Sequence, residues 1–495
     1  MSGTGPGRRV GFVDVTTRDG QQSLWATRMT NAMLLPFMGR LDEMGFDWIN
    51  LEGGAVFDVC VRYLHEDPWE RMRLVAERVH RTPVDIMTRG QSLFTFRFYA
   101  DDVVELAIRR IRANGMQRVT IYDALNDVRN LELSARVAHD EGLYVCAGLV
   151  YTVSPVHTDE YYTKVAADLV ALGVDSVFIK DPSGLLTPDR VRTLVPAVKK
   201  VVGEIPLELH SHSLSGLAEQ CYLEAVPLGV DVIHTAAEPL ASGASLPPTE
   251  YCVRHLEHAG FRTRLSRPDL AEMTDYFTGV ARRHGFPLGA PLRFNPALYR
   301  HQVPGGMISN LRNDLRRMQM EDREEAILEE CEQVRVDLGY PILVSPFAQY
   351  VVTQAMLNVV QGKRYATIPE EIRRYVLGCY GRLAGPVLPE ILDRVLGEAP
   401  SGSGVITARA GELIPPALDQ LRTERGPFDS DDDLLLAAFY TDAELQPLTT
   451  AKAHGDGRSA ATGTPVAQLL EYVASRTDLG GLDVQYPGMH LRVRR

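Results

Sequence analysis

Cysteine is scarce in this chain: six in 495 residues, at 60, 146, 221, 252, 331 and 379, none in a Cys-x-x-Cys pair or a zinc-ribbon spacing. That excludes a disulfide framework and a thiolate zinc site and leaves reduced, mostly buried thiols. Positive charge is short as well, with 52 Lys and Arg against 64 Asp and Glu and a formal net charge of −12. Without a basic stripe there is nothing to displace counterions from phosphates, which speaks against a nucleic-acid partner. The single basic cluster, Arg492-Val493-Arg494-Arg495, reads as a solvated tail. No apolar run reaches the roughly 18 residues of a membrane span. Met1 to Arg9 has no signal-peptide core. The expectation is a soluble, cytoplasmic protein with no membrane partner. Apolar residues at 45% and charged residues at 23% are ordinary globular usage, so a large core is present.

β-branched runs alternate with amphipathic stretches through the first half of the chain. Strands are predicted at 10–15, 47–51, 84–88, 118–122, 144–150, 176–180, 207–210 and 231–235. Helices are predicted between them, among others at 100–113, 163–172, 188–202 and 217–228, where apolar positions recur at three and four residues. Eight strands, each followed by a helix, predict an α/β fold of the (β/α)8 TIM-barrel type, although a doubly wound open sheet can carry the same count. Past residue 265 the alternation stops, and helices are predicted at 269–284, 311–334, 345–360, 369–377 and 386–396. The expected division is a barrel domain, 1–265, and a helix-rich C-terminal domain, 266–495. The segment 400–404 reads as an exposed linker, and 451–465, rich in Gly, Ala, Thr and Ser, as a flexible stretch.

Barrel active sites assemble at the carboxyl ends of the strands. After the first strand comes Asp14-Val15-Thr16-Thr17-Arg18-Asp19-Gly20-Gln21-Gln22-Ser23; the sixth ends in Ile179-Lys180-Asp181 and the seventh in His210-Ser211-His212. The period of two points His210 and His212 the same way, and Asp19 brings a carboxylate to the same mouth. Two histidines and a carboxylate are a common shell for a divalent ion with an open position; zinc, cobalt and manganese all suit it. Each piece alone has a plainer reading. His-x-His can be a polar strand edge, Asp19 a helix N-cap or the partner of Arg18, and Lys180 the partner of Asp181. Convergence on one mouth favours the metal.

Beyond these residues the chain resembles a known family, the carboxyltransferase component of biotin-dependent enzymes. The likeness is carried by Thr16-Thr17-Arg18-Asp19, Gln22-Ser23-Leu24, Ala26-Thr27-Arg28, Gly53-Gly54-Ala55, Phe57-Asp58, Glu66-Asp67-Pro68-Trp69-Glu70-Arg71 and Arg89-Gly90-Gln91. It continues in Tyr99-Ala100-Asp101-Asp102, Asp123-Ala124-Leu125-Asn126-Asp127-Val128-Arg129-Asn130-Leu131, Ser154-Pro155-Val156-His157-Thr158, Pro247-Pro248-Thr249-Glu250 and His301-Gln302-Val303-Pro304-Gly305-Gly306-Met307. The resemblance implies a metal held by Asp19, Lys180, His210 and His212, with Lys180 carrying a carbamate. It further implies a 2-oxo acid of the pyruvate and oxaloacetate type bound by Gln22 and Arg89, and a homodimer. The family's proton-shuttling threonine falls on Ser345, in Leu343-Val344-Ser345-Pro346, a position that also suits a helix N-cap. No Ala-Met-Lys-Met biotinylation motif and no ATP-grasp portion occur, so the implied biotin comes from a separate carrier protein and ATP is not expected as a cofactor.

The chain departs from the family pattern near the implied site. Asp-Ala-His-Gln appears as Asp19-Gly20-Gln21-Gln22, the tryptophan before Gly-Gly is Glu52, and a glutamate two residues earlier is Asn50. Gly-Tyr-Arg-His-Tyr reads Thr95-Phe96-Arg97-Phe98-Tyr99, and Gly-Thr-Ser reads Gly243-Ala244-Ser245. Glu52, Phe96 and Phe98 are therefore expected to reshape the pocket. Two alternatives stay open: a biotin-independent decarboxylase or lyase, and an acyltransferase or aldolase resembling isopropylmalate synthase. The second shares an Arg-Asp-Gly-x-Gln opening and a His-x-His but is not expected to share Lys180.

Overall fold

Short β-branched runs bounded by turns form eight strands: β1 (Gly11–Asp14), β2 (Trp48–Gly53), β3 (Val84–Arg89), β4 (Arg118–Tyr122), β5 (Tyr144–Val150), β6 (Ser176–Asp181), β7 (Leu207–Ser211) and β8 (Val232–Thr235). In the computed structural model, which describes residues 7–398, 404–454, 481–486 and 489–494, they close into one parallel barrel. Closure is direct: Gly11, Phe12, Val13 and Asp14 of β1 lie opposite Val232, Ile233, His234 and Thr235 of β8. The expected strands 118–122 and 144–150 coincide with β4 and β5, and the other six differ by one or two residues at their ends. The open-sheet alternative is excluded by the β1–β8 pairing.

Local signals start the outer helices. Thr187 accepts from the Arg190 amide ahead of Pro188–Val202, and Ser266 does the same for Asp269 ahead of Arg267–His284. The helix expected at 163–172 begins earlier, at Asp159, because Thr158 caps it. The expected helix 311–334 is two helices, Gly305–Met318 and Glu324–Asp337. Between them Gln319 takes a left-handed φ of 57°, and the Gln319 and Met320 amides return to the Arg316 and Leu315 carbonyls. That is a Schellman closure, made here without glycine.

Two hydrophobic clusters organise the molecule. One joins the barrel and its outer helices with Leu270 and Phe277 of helix Arg267–His284 and with Leu418, Leu434 and Phe439 near the C-terminus. The other joins Met87, Tyr122, Val150 and Phe178 of β3 to β6 with Leu311, Leu338, Val344, Phe347 and Tyr375. The helix-rich segment is thereby packed over one side of the barrel mouth. Inside the barrel's opposite end, Arg118 lies 2.8 Å from Glu208 and 3.6 Å from Asp85, its guanidinium over the Trp48 ring at 4.9 Å.

Two further expectations change. Residues 451–454 belong to helix Asp442–His454, while the rest of the expected flexible stretch, like most of the expected linker 400–404, lies outside the described residues. The basic cluster supplies Arg492 and Arg494 to strand Met489–Arg494, paired antiparallel with Gly481–Tyr486, instead of a free tail. The cysteines are free thiols, five of them buried. Among the described residues no helix is long and apolar enough to cross a membrane.

Candidate active site

The chain leaving β1 does not run straight into a helix. Asp14 accepts from the Thr16 hydroxyl at 2.5 Å and from its amide at 3.3 Å. The next five residues, Thr16–Gly20, form a π-helical turn, an insertion often found where a side chain must be re-aimed. The turn directs Asp19 inward. Its Oδ2 lies 2.9 Å from Arg18 Nη1, 3.2 Å from His210 Nε2 and 3.6 Å from His212 Nε2. Its Oδ1 accepts from Ser23 Oγ at 2.9 Å. Arg18 is itself held by the Asn50 side-chain oxygen at 2.7 Å, and Asn50 donates to Asp85 at 2.7 Å. Burial alone would raise the Asp19 carboxyl; the Arg18 guanidinium beside it is the largest influence holding it well below the usual carboxylate range.

Asp19, His210 and His212 are all buried, and their ligand atoms lie within 4.8 Å of one another. His212 donates from Nδ1 to the Ala244 carbonyl at 2.7 Å, so its Nε2 presents a lone pair toward Asp19. Behind His210, its Nδ1 meets His234 Nδ1 at 3.1 Å, and His234 Nε2 lies 2.8 Å from Glu208. Lys180, at the end of β6, places Nζ 3.3 Å from His210 Nε2, 3.9 Å from Met87 Sδ and 5.1 Å from the Tyr122 ring centre. Asp181 is not its partner, since that carboxylate accepts from the Leu185 and Leu186 amides and from Ser211 Oγ. Burial, with Arg18 adding to it, pushes the Lys180 ammonium down to about 7. Burial likewise holds His210 well below its ordinary value. Concentrated lone pairs beside an anionic carboxylate fit a divalent cation.

Two of the implied substrate groups carry buried atoms with no hydrogen-bond partner among the described residues, Gln22 Oε1 and Arg89 Nε. An unpaired buried polar atom costs about 1–3 kcal/mol, which a ligand can offset. Arg89 closes β3 and acts electrostatically on Lys180, so both lie at the same mouth.

A model of a conserved carboxylase domain matches residues 298–473. A pyruvate carboxylase subunit of Methanocaldococcus jannaschii is 42% identical over 87% of this chain and 76% of its own length. The methylmalonyl-CoA carboxyltransferase 5S subunit of Propionibacterium freudenreichii is 32% identical over 93% of this chain and 94% of its own. The chain belongs to the biotin-dependent carboxyltransferase family. Its fold agrees: the carboxyl transferase domain of Rhizobium etli pyruvate carboxylase, solved with pyruvate, superposes with a TM-score of 0.82 at 26% identity, covering 93% of this chain and 80% of that one.

Within this carboxyltransferase the remaining implied residues fall as follows. Ser345 is half-buried between Val344 and Phe347, whose side chains share a cluster with Met87 and Tyr122. It is not a helix cap: the following helix, Phe347–Gln361, starts after Pro346 and has no side-chain cap. Phe96 is 43% exposed, with the Arg89 guanidinium 5.1 Å from its ring, and Phe98 packs against Tyr380 at 5.0 Å. Glu52 corrects the expectation of a pocket carboxylate. It is fully buried away from the mouth, 3.4 Å from Arg71 of helix Pro68–Ala76 and 3.8 Å from Cys60 Sγ. Alternation would have put Glu52 on the same side as Asn50; a register shift between those two residues, where β2 pairs with β3, turns it toward the helix layer instead. The residues missed from sequence are Glu208 and His234. The signal for Glu208 was present, two residues before His210 on one strand, whereas His234 needed the β7–β8 pairing.

Proposed function

We propose that this carboxyltransferase moves a carboxyl group between carboxybiotin on a carrier protein and a small 2-oxo acid of the pyruvate and oxaloacetate type, through an enolate. The observation that carries the reading is the buried convergence of Asp19, His210 and His212 beside Lys180, whose Nζ contacts His210 and Met87. Asp19, His210, His212 and a carbamate on Lys180 would hold a divalent ion, zinc or alternatively cobalt or manganese, whose charge stabilises the enolate oxygen. A Lys180 amine driven toward neutrality by burial is the form that reacts with CO₂ to give a carbamate.

The chain's own groups then have distinct tasks. Arg89 orients the substrate carboxylate through paired N–H donors. Gln22, with its side-chain amide turned over so that the N–H takes the place of the unpartnered Oε1, donates toward the keto oxygen. Ser345 accepts the methyl proton on Oγ as it passes its own hydroxyl proton to the biotin ring nitrogen. Arg18 keeps Asp19 ionised and aimed. The helical segment, 266–495, supplies Ser345 and walls the mouth beside the barrel, 1–265.

The test is oxaloacetate decarboxylation to pyruvate by metal-replete protein, with and without biotin or a biotinylated carrier, corrected with a metal-stripped sample. The expected outcome is biotin-stimulated turnover that is lost in Lys180→Ala and in Ser345→Ala. Turnover indifferent to biotin would identify a stand-alone decarboxylase instead. No turnover by metal-loaded protein would reject oxaloacetate as the substrate.

A further inference from the structure

Glu208 and His234 line the barrel interior directly behind the cage and have no part in binding or proton transfer as proposed above. Both are buried. The Glu208 carboxylate is anchored on both oxygens: Oε2 accepts from Arg118 Nη2 at 2.8 Å and Oε1 from Ser176 Oγ at 2.7 Å. It is an acceptor only. His234 Nε2, 2.8 Å from Oε2, must therefore carry a proton and donate. In a neutral imidazole the other nitrogen then has a lone pair. That nitrogen, Nδ1, faces His210 Nδ1 at 3.1 Å, and two lone pairs cannot meet at that distance. So His210 carries its proton on Nδ1, and its Nε2 lone pair accepts from Lys180 Nζ at 3.3 Å; the 3.2 Å approach of that nitrogen to the Asp19 carboxylate sets two acceptors side by side, an arrangement that a cation between them would relieve. His212 reaches the same state by another route, donating to the Ala244 carbonyl.

We propose that His234, locked by Glu208, sets the tautomer and ring orientation of His210, so that the pair are positioning residues for the metal cage. The inference rests on the cage reading above. Acceptors behind metal-bound histidines commonly change metal affinity by about 10- to 100-fold when removed. Here the acceptor is a second imidazole, contributed by β8 to a ligand on β7.

The experiment is a titration of the full chain with cobalt(II), read by visible d–d absorption and by competition with a chelator, alongside thermal unfolding. Wild type should bind one cobalt per chain, and Asp19→Ala should abolish the site. His234→Phe, which keeps a flat ring and removes the acceptor, should weaken cobalt about 10- to 100-fold and alter the absorption. His234→Asn, whose side-chain oxygen can accept from His210, should recover most of the affinity. Glu208→Gln, which replaces an acceptor oxygen by an amide donor, should weaken binding several-fold and serves if His234→Phe does not fold. Unchanged affinity and spectrum in folded His234→Phe, with Asp19→Ala still abolishing the site, would overturn the relay and leave the cage standing. Equal weakening in His234→Phe and His234→Asn would reduce His234 to packing and also overturn it. Absence of cobalt binding in wild type would remove the cage itself, and the relay with it.

Discussion

Arg89 donates from Nη2 to the Thr95 carbonyl at 2.7 Å, while its buried Nε has no partner among the described residues. Nη1 lies beside Gly54, whose φ of +54° is what calls for glycine, since a Cβ there would meet Nη1 only at an ordinary contact of 3.7 Å. A guanidinium tied down on one nitrogen, with further N–H groups turned to the mouth, suits a carboxylate, which a lysine would meet as a point charge only. Arg89→Lys should therefore lower kcat/KM for the 2-oxo acid by roughly 10- to 100-fold, chiefly through KM, reflecting the loss of about 1.5–3 kcal/mol of charged hydrogen bonding. Steady-state kinetics on metal-loaded protein checks this. A change confined to kcat would assign Arg89 to the chemical step instead.

At the scale of elements, the loops leaving the strands are tied by carboxylates that accept backbone amides. Asp181 holds the turn after β6 through Leu185 and Leu186. Asp123 holds the one after β4 through the Leu125 and Asp127 amides and the Asn130 side chain. Asp123 is buried, and that burial, with Asp127 beside it, raises its carboxyl to about 7. A carboxyl raised on folding contributes stability that is complete below its unfolded value and is lost as pH rises through the folded one. Wild type should thus lose about 2–4 kcal/mol of unfolding free energy relative to Asp123→Asn between roughly pH 4 and pH 8. Urea unfolding at a series of pH values measures the difference. A gap that stays constant or reverses would show that Asp123 is ionised in the folded state.

Over the whole molecule, the last described helices return to the barrel. Asp432 of helix Asp431–Phe439 pairs with Arg73 and Arg110, both at 2.8 Å. Phe439 packs against Tyr99 at 5.1 Å, Phe57 at 5.9 Å and Phe94 at 6.1 Å, and its carbonyl accepts from Arg97 at 2.5 Å. These rings flank the loop that carries Thr95 and Phe96, the neighbours of Arg89. Phe439→Ala should cost about 3–5 kcal/mol in stability. It should also speed hydrogen exchange in residues 92–99 ahead of the barrel strands. Uniform acceleration across the chain would mean that the clamp acts only on global stability.

The barrel and the convergence of His210 and His212 with Asp19 were legible in the residues because each depends on a short-range period. Eight β-branched runs at regular spacing specify parallel strands, and a period of two places His210 and His212 on one face whatever surrounds them. Asp19 followed from lying at a strand end, where loops converge, and Lys180 joined the set through the family resemblance. Gln319, with no glycine to announce it, hid the helix break. Glu52 lies away from the mouth it was expected to line, because the register shift after Asn50 breaks the alternation of β2, and nothing in the local sequence announces that shift. Only the tertiary structure decided that Glu208 stands behind His234, 26 residues away, and His234 behind His210. Hydrogen-bond direction inside a barrel is set by which strands are neighbours, and neighbours are made by closure of the whole sheet.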